Sequence, residues 1–243
     1  MNRLDTELNR LFLGGLVFAP DAAQVLTLTD VRGRTRALVL EVVQPTNWDA
    51  LSEVWQGVQM ELELPAPGIA VSGSDGLQLW FSLESAIPVA EAHAFLEALR
   101  ERFLDHVPAA RVRLWPTPDG HHAALVPALQ ADGNWSAFVA PDLAAIFSDT
   151  PWLDVEPGEE GQAALLRALQ SITPATLDAA LAGMRPAARP APARDTASAA
   201  HVDSDDPREF LLRVMNDEGA PLALRIEAAK ALLAARSQDA GTR

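Results

Sequence analysis

The residues best placed to do chemistry lie between Gly68 and Leu83, where Ser72-Gly73-Ser74-Asp75-Gly76 separates two apolar runs. Asp-Gly between alternating apolar residues signals a hairpin, because glycine takes the positive φ that tight turns need. Leu77, Leu79, Phe81 and Leu83 fall on one face of the second strand, and Gln78, Trp80 and Ser82 on the other. Gln78 therefore projects from a strand just after a glycine turn, a position that suits either a ligand-holding amide or an ordinary hairpin of a sheet. Trp80 and Trp115 are the aromatics that could stack a base if they lined a cleft; the competing reading is half-buried core. His121 and His122 are adjacent, so on a strand they face opposite sides and read as loop surface, as do His93 and His106 at the second long helix. The chain has no P-loop, no G-x-S-x-G elbow and no H-E-x-x-H.

The elements that must position these residues alternate along the chain. Residues 4–18 have helical spacing (Leu4, Leu8, Leu11, Phe12). Val25–Asp30 and Arg36–Val43 read as two strands of a hairpin around Arg32-Gly33-Arg34. A helix follows over 48–63, with Trp48, Leu51, Trp55, Val58 and Leu62 as its apolar stripe and Thr46 or Asn47 as its cap. After the hairpin, a helix over 88–105 turns Ala92, Phe95, Leu96, Leu99 and Phe103 inward. Arg111–Trp115, Ala123–Val126 and Trp135–Val139 read as strands, and 159–171 as a helix. The expected fold is α+β, a mixed or mainly antiparallel sheet with packed helices.

Residues 1–183 form this domain. Residues 184–206 are a Pro/Ala/Ser linker with too few large apolar residues to fold. Residues 207–236 then restore helical signals: Asp206 as N-cap, Pro207 at the first helical position, Phe210, Leu211, Val214 and Met215, a turn at Asn216–Ala220, and a second helix opened by Pro221. Such a helical hairpin buries too little to stand alone, so it is expected to dock on the main domain, self-associate or fold on a protein partner.

Composition narrows the function classes. With no cysteine, a disulfide scaffold, cysteine-zinc sites and a cysteine nucleophile are excluded. Met1-Asn2-Arg3-Leu4-Asp5 does not begin a signal peptide, and no apolar run approaches the roughly 20 residues of a membrane span. A soluble cytoplasmic protein with no membrane contact is expected. The net charge is −14, and residues 1–183 hold all of the excess, with 10 Arg against 24 Asp/Glu. That balance opposes nonspecific phosphate-backbone binding. Arg32, Arg34 and Arg36 form the densest basic cluster, read as a solvated turn; Arg36, Arg100, Arg111 and Arg113 could instead meet at one cleft.

Three segments together resemble the archaeo-eukaryotic primase (primase-polymerase) superfamily, above all the primase-like domains of bacterial mobile elements and conflict systems. Leu38-Val39-Leu40-Glu41-Val42-Val43 is similar to its metal strand, hhhDhD. Ser72-Gly73-Ser74-Asp75-Gly76-Leu77-Gln78-Leu79-Trp80-Phe81 resembles its S-G-x-x-G-x-H-h-W-h hairpin, and Leu114-Trp115-Pro116-Thr117-Pro118-Asp119 its F-P-x-Q-D loop. The likeness covers about residues 20–172. It implies a primase-like fold, nucleotide-binding places at Ser72, Gly73, Gly76 and Gln78, and vestigial catalytic or metal places at Glu41 and Asp119. Mg²⁺ or Mn²⁺ would be the cofactor of any remaining activity, with nucleotide or primed or single-stranded DNA as partner. The chain departs from the family where it matters. Val43 stands where a second acid would share a strand face with Glu41, and valine cannot bind a hard cation. Gln78 stands where a histidine would, and glutamine cannot become cationic. The expectation is a noncatalytic primase-like module. The alternatives are an acidic adaptor with no nucleic-acid role and a nucleotidyltransferase with unusual ligands.

Overall fold

The computed structural model describes residues 2–16, 27–45, 48–184 and Lys230. The chain divides into two compact units, Met1–Arg189 and Pro190–Arg243. The linker read over 184–206, apart from Met184, lies outside the described residues. So do the helical hairpin read over 207–236, apart from Lys230, and the cap at Thr46 or Asn47.

The first unit is α+β. Helix α1 (Arg3–Leu8) opens with a reciprocal cap: the Asn2 side chain accepts the Asp5 N–H at 2.7 Å, and the Asp5 carboxylate accepts the Asn2 N–H at 3.2 Å. It continues as a π-helical segment, Asn9–Leu13, and stops at Gly14, short of the expected residue 18. Arg36 provides part of the stop. Its guanidinium donates to Gly14 O at 2.7 Å, Arg10 O at 3.1 Å and Leu83 O at 2.7 Å. Desolvation by burial lowers its pKa. Arg36 is thus a structural cap for orphan helix carbonyls and not part of a basic surface.

Strand β1 (Arg34–Val43) is followed by α2 (Trp48–Met60), β2 (Gly68–Val71), β3 (Gly76–Pro88) and α3 (Val89–Phe103). Then come β4 (Val112–Trp115), β5 (Ala128–Leu129), β6 (Trp135–Val139), α4 (Glu159–Arg167) and α5 (Pro174–Met184). The six strands form one sheet in the order β4-β1-β3-β2-β6-β5, with antiparallel neighbours throughout. The β2–β3 hairpin is as expected. The hairpin expected between Val25–Asp30 and Arg36–Val43 is not: among the described residues it reduces to one bridge, Thr29 to Thr35. The Asp30 carboxylate takes the N–H groups of Arg32 and Arg34, each at 2.9 Å, closing the turn locally. Both edges of β1 are then free for β3 and β4.

Helices cover both faces of the sheet. On one, Leu38, Leu40, Leu79 and Phe81 pack against Leu51, Val54 and Val58 of α2, Phe95 and Leu99 of α3, and Leu177 of α5. On the other, Val39, Ala70, Trp80 and Phe138 pack against Leu11, Phe12 and, from α4, Leu166. Ala123 and Val126 join this second layer as buried residues outside any strand, in place of the expected strand; Pro127, which lacks an N–H, follows directly. Helix α4 ends at Arg167, four residues earlier than its pattern suggests. Helix α5 escapes sequence reading because its Ala-rich run buries only Leu177 and Ala180 and so has almost no amphipathic contrast.

Candidate functional site

Pairing of β3, β1 and β4 sets three polar side chains at one register. Glu41 on β1 is opposite Gln78 on β3 and opposite Arg113 on β4. Residues directly opposite in neighbouring strands project to the same face, so the three form a row across the sheet. That face is the second one, which carries Trp80 and lies under Leu11, Phe12 and Leu166. Glu41 is 4% and Gln78 6% exposed.

Glu41 is surrounded by donors. Its Oε1 accepts from Gln78 Nε2 at 3.3 Å, its Oε2 accepts from Trp115 Nε1 at 3.5 Å, and Arg113 Nη1 lies 3.6 Å from Oε2. Gln78 passes the network on, its Oε1 accepting from Trp80 Nε1 at 2.8 Å. Arg113 reaches out to the hairpin loop, where its Nη1 and Nη2 donate to the two carboxylate oxygens of Asp75 at 2.9 and 2.8 Å. Gly76 makes the space: a Cβ there would lie 2.7 Å from Glu41 Cγ and against its carboxylate.

Burial raises the Glu41 pKa, opposed by Arg113 and by the bonds from Gln78 and Trp115. The Asp75 pKa is lowered, chiefly by the bonds from Arg113. The two act oppositely on stability. A carboxyl whose folded pKa lies above its unfolded value holds its proton longer in the folded state, so stability falls as pH rises from the ordinary carboxylate range to the raised value. Asp75 contributes stability at higher pH, which is lost as pH falls through its lowered value. Glu41→Gln should therefore remove a descending limb from the stability–pH profile. One proton changes the slope by at most about 1.4 kcal/mol per pH unit. Urea denaturation between pH 4 and 8 measures this; an unchanged slope would mean that Glu41 is not the buried acid responsible.

The other expected site residues are placed as follows. The hairpin loop has four residues, and the positive φ falls at Gly73 (84°) rather than at Gly76. Ser72 Oγ accepts from Gly76 N at 2.9 Å and from Ser74 N at 3.2 Å, and Gly73 N donates to Pro151 O at 3.0 Å. The loop amides that a phosphate would need are thus already engaged within the protein. Gln78 does not project into an open cleft; it lies under the second helical layer. Asp119 is on an exposed loop, 2.7 Å from His121 Nδ1, and is not among the groups around Glu41. Arg113 alone of the four scattered arginines reaches the acids. Arg111 donates to Pro45 O, Arg100 pairs with Glu97 at 2.8 Å, and Arg36 caps the first helix. His93, read as surface, is half-buried, with its Nδ1 3.0 Å from Pro116 O.

Sequence reading named Arg113 only as one of four arginines that could converge, and did not place Asp75 in the cluster. The available signal was parity: Arg113 and Trp115 alternate with Val112 and Leu114, so they share a strand face. A cavity of about 420 Å³ between β2, β6 and α4, lined by Gly68, Phe138, Leu166 and Leu169 among others, contains none of these residues.

The divalent metal that the primase resemblance implies does not fit these groups. Three N–H-bearing side chains point at Glu41, and the next side chain on its face of β1 is Val43. Among the described residues no three His, Asp or Glu side chains are grouped to hold a metal ion. What the fold and cluster define is an antiparallel α+β domain with helices on both faces and, at Glu41, a buried carboxylate surrounded by hydrogen-bond donors. The chain matches no protein-family model and no curated protein sequence.

Proposed function

We propose that residues 1–183 are a noncatalytic, primase-like module that binds nucleotide or primed or single-stranded DNA, or scaffolds a replication, mobile-element or defence complex, without transferring nucleotides. The enclosure of Glu41 carries the noncatalytic half of this reading, and the binding half rests on the resemblance of the strand, hairpin and loop segments. The one acid at a metal-strand position accepts hydrogen bonds from Gln78 and Trp115 and is capped by Arg113, so its lone pairs are engaged by donors. A nucleotidyl transfer site needs carboxylates open to cations and phosphates. Among the described residues no helix is long and apolar enough to cross a membrane.

Primer extension with Mg²⁺ or Mn²⁺ tests the noncatalytic half. No incorporation is expected, and incorporation abolished by Glu41→Ala would overturn it in favour of an active nucleotidyltransferase. Fluorescence anisotropy with primed and single-stranded DNA tests the binding half. Micromolar binding that weakens as salt rises supports it. The excess of acid over base favours the second reading, an acidic protein adaptor, if no DNA binds.

A further inference from the structure

We propose that Arg113 is the resident cation of this site: its guanidinium holds the place between Glu41 and Asp75 that a divalent ion would have to take, and the protein binds no Mg²⁺ or Mn²⁺ there while Arg113 is present. The inference deepens the noncatalytic reading and rests on it.

The geometry points to a site shaped for a guanidinium. Arg113 presents its two terminal nitrogens to the two oxygens of Asp75, at 2.9 and 2.8 Å, and one of them is also 3.6 Å from Glu41. A planar fork matched to a carboxylate is the geometry that arginine supplies and a spherical ion does not. The remaining neighbours of Glu41, the Gln78 amide and the Trp115 indole, are donors aimed at its oxygens. A hard cation needs the reverse, several oxygens converging on one point. The two acids come from different places, Glu41 from the middle strand β1 and Asp75 from the β2–β3 turn. Register brings Arg113 opposite Glu41 on the edge strand β4. One side chain therefore contacts both acids and links the turn to the sheet. Solvent reaches the cluster at Arg113 and Asp75, whose side chains are 43% and 40% exposed, while Glu41 beneath them is at 5%.

Removing the guanidinium while keeping both acids should turn the pair into a cation site. Mn²⁺ binding would be followed by the loss of the free-ion paramagnetic resonance signal at pH 8, where Glu41 is most readily ionised. The samples are the full chain and its Arg113→Gln, Arg113→Lys and Asp75→Asn/Arg113→Gln variants. The wild type and Arg113→Lys should show no stoichiometric binding. Arg113→Gln should bind one Mn²⁺ at least about tenfold more tightly than the wild type, with two carboxylates and water as ligands, and the double variant should lose that gain. The proposal is overturned if the wild type or Arg113→Lys binds as Arg113→Gln does, or if Arg113→Gln gains nothing. Should Arg113→Gln be unfolded by circular dichroism, recovery of structure in millimolar Mn²⁺ supports the proposal, and no recovery overturns it. A failure here leaves the noncatalytic reading standing as long as primer extension remains negative; incorporation by the wild type would remove both.

Discussion

Replacing Trp80 by alanine is expected to cost about 3–5 kcal/mol of stability, the range for deleting a large aromatic from a packed core. Trp80 is 1% exposed and packs edge-on against Phe12, with ring centres 5.2 Å apart, and against Phe138 at 5.7 Å. It thereby holds the π-helical segment against the second face of the sheet, beside Phe138 of β6. Its indole also donates to Gln78 Oε1 at 2.8 Å, so the variant loosens the side chain that donates to Glu41. Trp80→Phe separates the two roles. It keeps an aromatic ring in the layer but leaves a buried amide oxygen unpaired, which costs about 1–3 kcal/mol. Urea denaturation of the full chain measures both. A Trp80→Ala loss below about 1 kcal/mol would contradict the core role and restore the alternative of an exposed ring free to stack on a base.

Gly73→Ala should be the second most damaging single change, at about 2–5 kcal/mol. Two independent effects add. The residue has φ 84°, where an L side chain costs about 1–2 kcal/mol. A Cβ would also lie 2.7 Å from Ser136 N and 3.0 Å from Trp135 C, and β6 backbone cannot yield without moving the strand; overpacking of this kind costs about 1–3 kcal/mol. Gly133→Ala is the control. It has φ 90°, yet nothing lies within 4 Å of its Cβ position, so only the conformational part should appear. Thermal unfolding of the two variants should rank Gly73→Ala well below Gly133→Ala; equal losses would show that the contact with β6 contributes nothing. The effect also reaches the site, because this turn carries Asp75 to Arg113.

Much of the frame was legible because it is local. The period-two alternation from Leu77 to Leu83, the stripe Leu51–Val58 of α2 and the stripe Phe95–Leu96–Leu99 of α3 each follow from a single segment. Where the reading failed, a competing interaction took over. Asp30 closed the first turn on itself, so β1 found other partners. The run Ala123–Val126 is apolar enough for a strand, but burial outside any strand satisfied it. Helix α5 lacked the amphipathic contrast that periodicity needs.

The candidate site divides along the same line. That Glu41 lies on a strand, and that Gln78 and Trp80 share one face of β3, follow from neighbours within a few residues. Whether that face is open or covered does not. An alternating strand with Gln, Trp and Ser on its second face suits a cleft and a polar interior equally well, and only the packing of Phe12, Phe138 and Leu166 over it made it interior. The meeting of Arg113 with Glu41 across 72 positions of chain depended on strand order and register, which arise from the packing of the whole sheet and which no local pattern encodes.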